Sequence, residues 1–252
     1  MNEAFFFGPP ERQLFGNYHV PVAGDGQVLT VICPPLFFDY MRTHLTLRRL
    51  ALSLAERGQH VLRFDYRGTG DSFGELGQVT VSDWVEDIAL AVREGLDISG
   101  SQKVRLVGVR AGALLACRLP AAVSDFQRLV LWDPVPDGVA YLQQMRRTQA
   151  TMVRRHLHLS RDERHRGMLE YAGHPVSERM LDEFRSLDAS AYSRVPSSKL
   201  QVVSTLPVQP FPVEGISQNV VPVACNWDTD IQDPMRPQSA LLEPLIACLT
   251  MP

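Results

Sequence analysis

The stretch Val104-Arg105-Leu106-Val107-Gly108-Val109-Arg110-Ala111-Gly112-Ala113-Leu114-Leu115 decides the fold. Val104 to Val107 is a short apolar run of buried-strand character, and Ala111 to Arg118 is helix-forming with small residues on one face. Gly108 and Gly112 flank the junction, so the backbone can close tightly and push the side chain of Arg110 outward from the strand end. Strand, tight turn and helix in this order are half of a parallel βαβ unit. The same alternation continues on both sides. Upstream, Val28 to Cys33 reads as a strand and His44 to Arg57 as a helix closed by Gly58; Val61 to Asp65 is then a strand and Val81 to Leu96 an amphipathic helix. Downstream, Arg128 to Trp132, Leu200 to Ser204 and Val220 to Cys225 read as strands, and Ser239 to Leu249 as a last helix. The pattern predicts a doubly wound, mostly parallel α/β sheet. Gln13 to Val28 is expected to form an antiparallel hairpin turning at Ala23 to Gly26. The charged, helical stretch 137–199 is too long for one crossover and is expected to be a helical cap inserted in a core made of 1–136 and 200–252.

Composition excludes several function classes. The chain has 252 residues, 45% of them hydrophobic and 21% charged, with a formal net charge of -3. Such a balance supplies no basic field and argues against nucleic acid as a partner. No apolar run reaches the roughly 18 residues that a membrane span requires. The first residues hold Phe5, Phe6 and Phe7 but neither a basic region nor a small-residue cleavage site, so a cytoplasmic location is expected. Cys33, Cys117, Cys225 and Cys248 are far apart and fit reduced thiols better than disulfides or a zinc site; neither a metal nor a cofactor is expected.

A second motif, Asp65-Tyr66-Arg67-Gly68-Thr69-Gly70-Asp71-Ser72, follows a strand. Together with Cys33-Pro34-Pro35-Leu36, with Tyr40, Arg42 and His44, and with the Gly108–Gly112 turn, it resembles the serine-aminopeptidase-like α/β-hydrolases, including those that accompany exosortase systems. The likeness runs from about Phe5 to Asp137 and implies the α/β-hydrolase fold; it says little about substrate. It also implies a nucleophilic serine at the centre of the turn, where this sequence has Arg110, and a triad in the chain order serine, acid, histidine. The histidine would sit in a loop after the last strand, here 226–234, and none of the seven histidines lies there. Two absences at separate positions point to a chain that does not use a Ser-His-Asp triad.

The remaining polar groups at the expected strand ends define the candidate site. Arg110 cannot act as a nucleophile, but its permanent charge suits a carboxylate, phosphate or enolate. The backbone N–H of Ala111 and one from the loop 34–38 would make an oxyanion pocket beside it. Asp133 is either the acid at the end of its strand or a turn cap next to Pro134; an ion pair with Arg110 would make both residues structural. Asp39 and His44 are general-base candidates if they face the cleft, against a solvated turn and a helix start as the plainer alternatives. Leu36, Phe37, Tyr40 and Trp227 would wall the pocket. In the cap, Arg147, Arg154, His158, Arg161 and His165 share a face if helical, which is either solvated or a dock for an acidic partner such as a carrier protein.

These residues are consistent with a non-hydrolytic protein that binds, and by non-hydrolytic chemistry transforms or simply holds, a small anionic or acyl-type metabolite at Arg110. Two rivals remain at this stage. One is an active hydrolase of esters, thioesters or amides that uses Cys33, Cys225 or an activated water. The other is a structural pseudoenzyme in a biosynthetic or envelope-polysaccharide pathway.

Overall fold

The computed structural model describes residues 2–23, 26–119, 123, 125–152, 170–171, 173–208, 211–216, 218–225, 227 and 238–251. Strands β1 (Asn2–Phe7) and β2 (Leu14–His19) form an antiparallel hairpin. Then come β3 (Val28–Cys33), α1 (Phe37–Ala55), β4 (His60–Phe64), α2 (Val81–Ser99), β5 (Lys103–Val109), α3 (Ala111–Ala116) and β6 (Phe126–Trp132). The segment that follows holds α4 (Gly138–Met152), the short strands β7 (Glu170–Tyr171) and β8 (His174–Pro175), and α5 (Glu178–Arg185). The chain closes with β9 (Leu200–Leu206), β10 (Gln218–Ala224) and α6 (Ser239–Thr250).

Eight strands form one sheet in the order β1-β2-β4-β3-β5-β6-β9-β10, parallel from β4 to β10, with β2 antiparallel to β4. This is the α/β-hydrolase architecture expected from the sequence. The order reverses between β3 and β5, which lie side by side with Cys33 opposite Gly108. Crevices at such a reversal, beyond the carboxyl ends of the strands, are where open α/β sheets hold ligands.

Period-two alternation builds both faces. Leu29, Val31 and Cys33 of β3 and Val104 and Leu106 of β5 point to the side covered by α2 and α3. Ile32, Val107 and Val109 point to the side covered by α1 and α6. Helix α2 begins with a reciprocal cap, in which the Asp83 N–H donates to Thr80 Oγ1 at 3.2 Å and the Thr80 N–H to Asp83 Oδ2 at 2.9 Å, and ends at Gly100 with φ 63°. Two arginines paired across β5 and β6 fasten the end of α6. Arg128 donates to the Cys248 carbonyl at 2.6 Å, and Arg105 donates to the carbonyls of Leu249 and of Met251, the latter at 3.1 Å. Cations at that pole match the helix dipole.

Two expectations need correction. The hairpin turns at 8–13 rather than at Ala23 to Gly26, because β2 pairs with β1 on one side and β4 on the other, while β3 pairs with β4 and β5. The Phe5–Phe7 run is therefore strand, with Phe7 buried and Phe6 exposed. Helix α1 starts at Phe37, about two turns before His44. The basic positions Arg154, His158, Arg161 and His165 lie outside the described residues.

Candidate functional site

Among the described residues, four combine a positive φ with a side chain beyond glycine: Phe37 (52°), Arg110 (51°), Asp125 (56°) and Asp133 (42°). Three of them follow the carboxyl ends of the adjacent strands β3, β5 and β6. Such backbone costs of order 1–3 kcal/mol per residue and clusters at functional sites. The turn at Arg110 (φ 51°, ψ -123°) closes as the sequence predicted. A Cβ on Gly112 would lie 2.3 Å from the Pro34 carbonyl oxygen, and one on Gly108 would lie 2.6 Å from the Ala113 Cα. Neither position has room for a side chain.

Arg110 is 4% exposed and lines a cavity of about 320 Å³ together with Asp133, Tyr141, Gln144, Arg147 and Trp227. Its guanidinium is held by three hydrogen bonds and an aromatic ring. Nε faces Asp39 Oδ2 at 3.5 Å, Nη1 donates to the Asp133 carbonyl at 3.0 Å, and Nη2 donates to Gln144 Oε1. Trp227 stacks on it, with the guanidinium carbon 4.7 Å from the ring centroid.

The Arg110–Asp133 ion pair, one of the alternatives the sequence left open, is not formed. The carboxylate partner of Arg110 is Asp39, from the first turn of α1, itself 1% exposed. Asp133 contributes only its carbonyl to Arg110, and its carboxylate is engaged elsewhere. Oδ1 accepts from the Thr205 N–H at 2.7 Å, and Oδ2 accepts from the Thr205 hydroxyl and from the Trp227 indole N–H at 2.9 Å. Asp133, Trp227 and Arg110 therefore form a continuous chain of contacts, although Trp227 is 94 positions away from Asp133.

The other expected residues divide. Asp39 is neither solvated nor in a turn; it is a buried counterion. His44 is overturned as a base facing the cleft: it lies on the solvent side of α1, exposed, with Nδ1 2.8 Å from the Met41 carbonyl. Leu36 accepts a hydrogen bond at its carbonyl from the Tyr141 hydroxyl at 3.0 Å, which ties α4 to the start of α1. Ala111 is fully buried as the first residue of α3, whose six residues end two short of the expected helix. Phe37 sits in an aromatic cluster with Trp84, Tyr141, His174 and Phe184. Tyr40 donates to Asp65 and borders a second cavity, also about 320 Å³, lined by Leu36, Phe37, Tyr66 and His174 among others. Burial lowers the His174 pKa from the ordinary histidine value.

The cysteines offered as alternative nucleophiles are all buried. Burial pushes the Cys225 thiol up to about 11 and raises the Cys33 thiol further, so neither is a thiolate near neutral pH. Among the described residues, no group of three or more His, Cys, Asp and Glu side chains could hold a metal ion, and no helix is long and apolar enough to cross a membrane.

Sequence reasoning missed Gln144, Tyr141 and Thr205. Gln144 and Arg147 fall on one face of α4 with Ala140, a spacing visible in the sequence once the helix is placed. Thr205 carries no such signal.

The sequence profile of the serine aminopeptidase S33 family matches residues 41–176. No curated protein matches the chain. Solved structures of similar fold include a putative hydrolase from Agrobacterium vitis S4, with 21% identity over 98% of each chain and a TM-score of 0.56. An α/β serine hydrolase homologue from Coxiella burnetii has 19% identity over 99% of this chain and 98% of its own, with a TM-score of 0.57. The N-formylmaleamic acid deformylase from Pseudomonas putida S16 has 19% identity over 98% of this chain and 100% of its own, with a TM-score of 0.57.

Proposed function

We propose that this chain, which belongs to the serine aminopeptidase S33 family, is a member that does not hydrolyse: Arg110 stands in for the nucleophilic serine, and the pocket around it binds a small anionic or acyl-type metabolite. One observation carries the reading. The residue at the tip of the strained strand-to-helix turn is a guanidinium directed into a cavity at the carboxyl ends of the strands. A guanidinium has no lone pair to attack a carbonyl, yet it donates hydrogen bonds and polarises or holds an oxygen. Trp227, which follows the last strand, takes the place of the triad histidine: it donates to the acid, Asp133, and covers the residue at the nucleophile position. An indole N–H is a donor only, so it cannot accept the proton that general-base catalysis would deliver. The segment 137–199 serves as the cap, with Tyr141 and Gln144 of α4 closing over the pocket.

The structural-pseudoenzyme reading is favoured by one specific observation, the engagement of Arg110 by Asp39, Gln144, Asp133 and Trp227. The two readings part on binding. A serine-directed fluorophosphonate is expected to leave the protein unlabelled, and p-nitrophenyl esters should be hydrolysed no faster than by the denatured chain. Stoichiometric labelling at any serine would sink the non-hydrolytic reading. A thermal-shift screen of small carboxylates and acyl compounds should then find stabilising ligands; their complete absence would leave the pseudoenzyme.

A further inference from the structure

The geometry points to Arg147, on α4, as the residue that binds the charge of the ligand, with the charge-compensated Arg110 receiving a neutral carbonyl deeper in the cavity; the ligand class is a small monocarboxylate that carries an acyl or oxo group. This deepens the proposed function and rests on it.

The argument begins with the charges around the cavity. Arg110 and Asp39 form a buried pair, so the positive charge of Arg110 is already matched. It still has N–H groups to spare, because a guanidinium offers five and each of its three nitrogens makes one hydrogen bond here. A second carboxylate beside it would meet Asp39 and Asp133 at close range and be repelled. A neutral carbonyl oxygen meets no such cost.

Arg147 differs in each respect. It lines the same cavity, one helical turn beyond Gln144 on α4. It is exposed, and among the described residues no carboxylate lies within ion-pair distance of it. It is therefore the cation whose charge is open to a ligand. Gln143 and Gln144 line the cavity beside it, and their amides suit the polar body of an acyl-amino or oxo acid. The lining balances a single ligand charge better than two. Among the described lining residues Arg147 is the one cation not already paired with a carboxylate, so a dianion would bring a second charge that no further lining cation meets.

Isothermal titration of the full chain with N-acetylglycine, levulinate, N-acetylglycinamide and inorganic phosphate tests the assignment, using wild type, Arg147→Gln and Arg147→Lys. The wild type is expected to bind N-acetylglycine or levulinate at least tenfold more tightly than the neutral amide or phosphate. Arg147→Gln should remove that tenfold preference without changing the melting temperature, since the side chain is exposed, and Arg147→Lys should restore most of it. If the wild type binds the carboxylates and Arg147→Gln binds them equally well, the Arg147 assignment is overturned while the pocket reading stands. Preference for phosphate overturns the monocarboxylate class. Failure of the wild type to bind any of the four overturns the pocket reading and this inference together.

Discussion

The loop Asp65–Ser72 and the turn at Arg110 both look like catalytic motifs in the sequence, and both follow parallel strands, yet their polar side chains do opposite things. In the loop they hold the chain itself. Asp65 accepts from Tyr40 and from the Asp71 N–H at 3.2 Å, and Ser72 donates to the Asp65 carbonyl at 2.6 Å while accepting from the Phe15 N–H at 2.8 Å. Arg67 pairs with the buried Asp87 at 2.7 Å. Even the glycines are steric: a Cβ at Gly70 would fall 2.0 Å from Asp65 Oδ2. Around Arg110, by contrast, side chains from the end of β6, from α4 and from the segment after β10 converge on one cavity, with Asp39 of α1 paired to Arg110. A motif that holds its own backbone identifies the fold; a motif whose side chain enters a cavity bears on function. The loop carries the family likeness, and the turn carries the departure from it that we propose.

The strongest way to break this contrast is to remove the guanidinium. Arg110→Met leaves Asp39 buried without its cation, and deleting one member of a buried pair costs about 3–5 kcal/mol. Urea denaturation should show a loss of that size, and adding Asp39→Asn to the same chain should recover most of it. A loss under about 1 kcal/mol would mean that Arg110 is loosely held, and that the site is no more built than a surface loop.

The extent to which this was legible from sequence follows the range of the interactions. Local signals were sufficient for the strand-turn-helix at Gly108–Gly112, for the amphipathic helix α2 and for a mostly parallel sheet, since period and turn chemistry act within a few residues. They were insufficient where the decisive contact is distant. The Arg110–Asp39 pair spans 71 positions and Arg110–Gln144 spans 34. Asp133 was recognised as a strand-end acid, but its partners Thr205 and Trp227 are 72 and 94 positions on. The start of α1 was misread for a local reason. Leu36 provides no side-chain cap, and Phe37 enters the helix from a left-handed conformation that no sequence rule assigns to phenylalanine.

On the loop side of the comparison, the expected effect is one of acid stability. His19, at the end of β2, accepts at Nε2 from Arg63 Nε at 3.3 Å, which requires a neutral ring. Burial, with Arg63, Arg48 and the N-terminus nearby, lowers its pKa from 6.5 to about 4. The unfolded chain therefore takes up a proton before the folded one. The contribution of His19 is fully present above pH 6.5 and disappears as the pH falls toward 4, by up to about 3 kcal/mol. Stability measured by urea from pH 7 to 4 should fall accordingly, and His19→Gln should flatten the curve in that window. An unchanged slope in the variant would remove His19 as the cause.

The smallest expected effect addresses the turn directly, by asking whether only side chains separate this pocket from a hydrolase. Asp133 already accepts a hydrogen bond from the Trp227 indole N–H, the geometry by which an acid orients a base. Arg110→Ser supplies a hydroxyl at the strained tip, and Trp227→His supplies an imidazole that can accept its proton, with Asp39→Asn added to avoid an unpaired buried carboxylate. Neither Arg110→Ser nor Trp227→His alone should hydrolyse p-nitrophenyl acetate above background, since a hydroxyl without a base is a poor nucleophile and a base without a nucleophile has nothing to activate. Combined, they should exceed either single change by about tenfold, well short of the roughly 10²–10⁴ that a positioned base contributes in an evolved site. The shortfall has a steric origin, because an imidazole is smaller than an indole and cannot both reach Asp133 and fill the space above residue 110. Equal rates in the single and combined variants would show that the difference lies in the backbone and the cap rather than in the side chains, and the pocket would then be remote from hydrolysis for reasons that Arg110 alone does not explain.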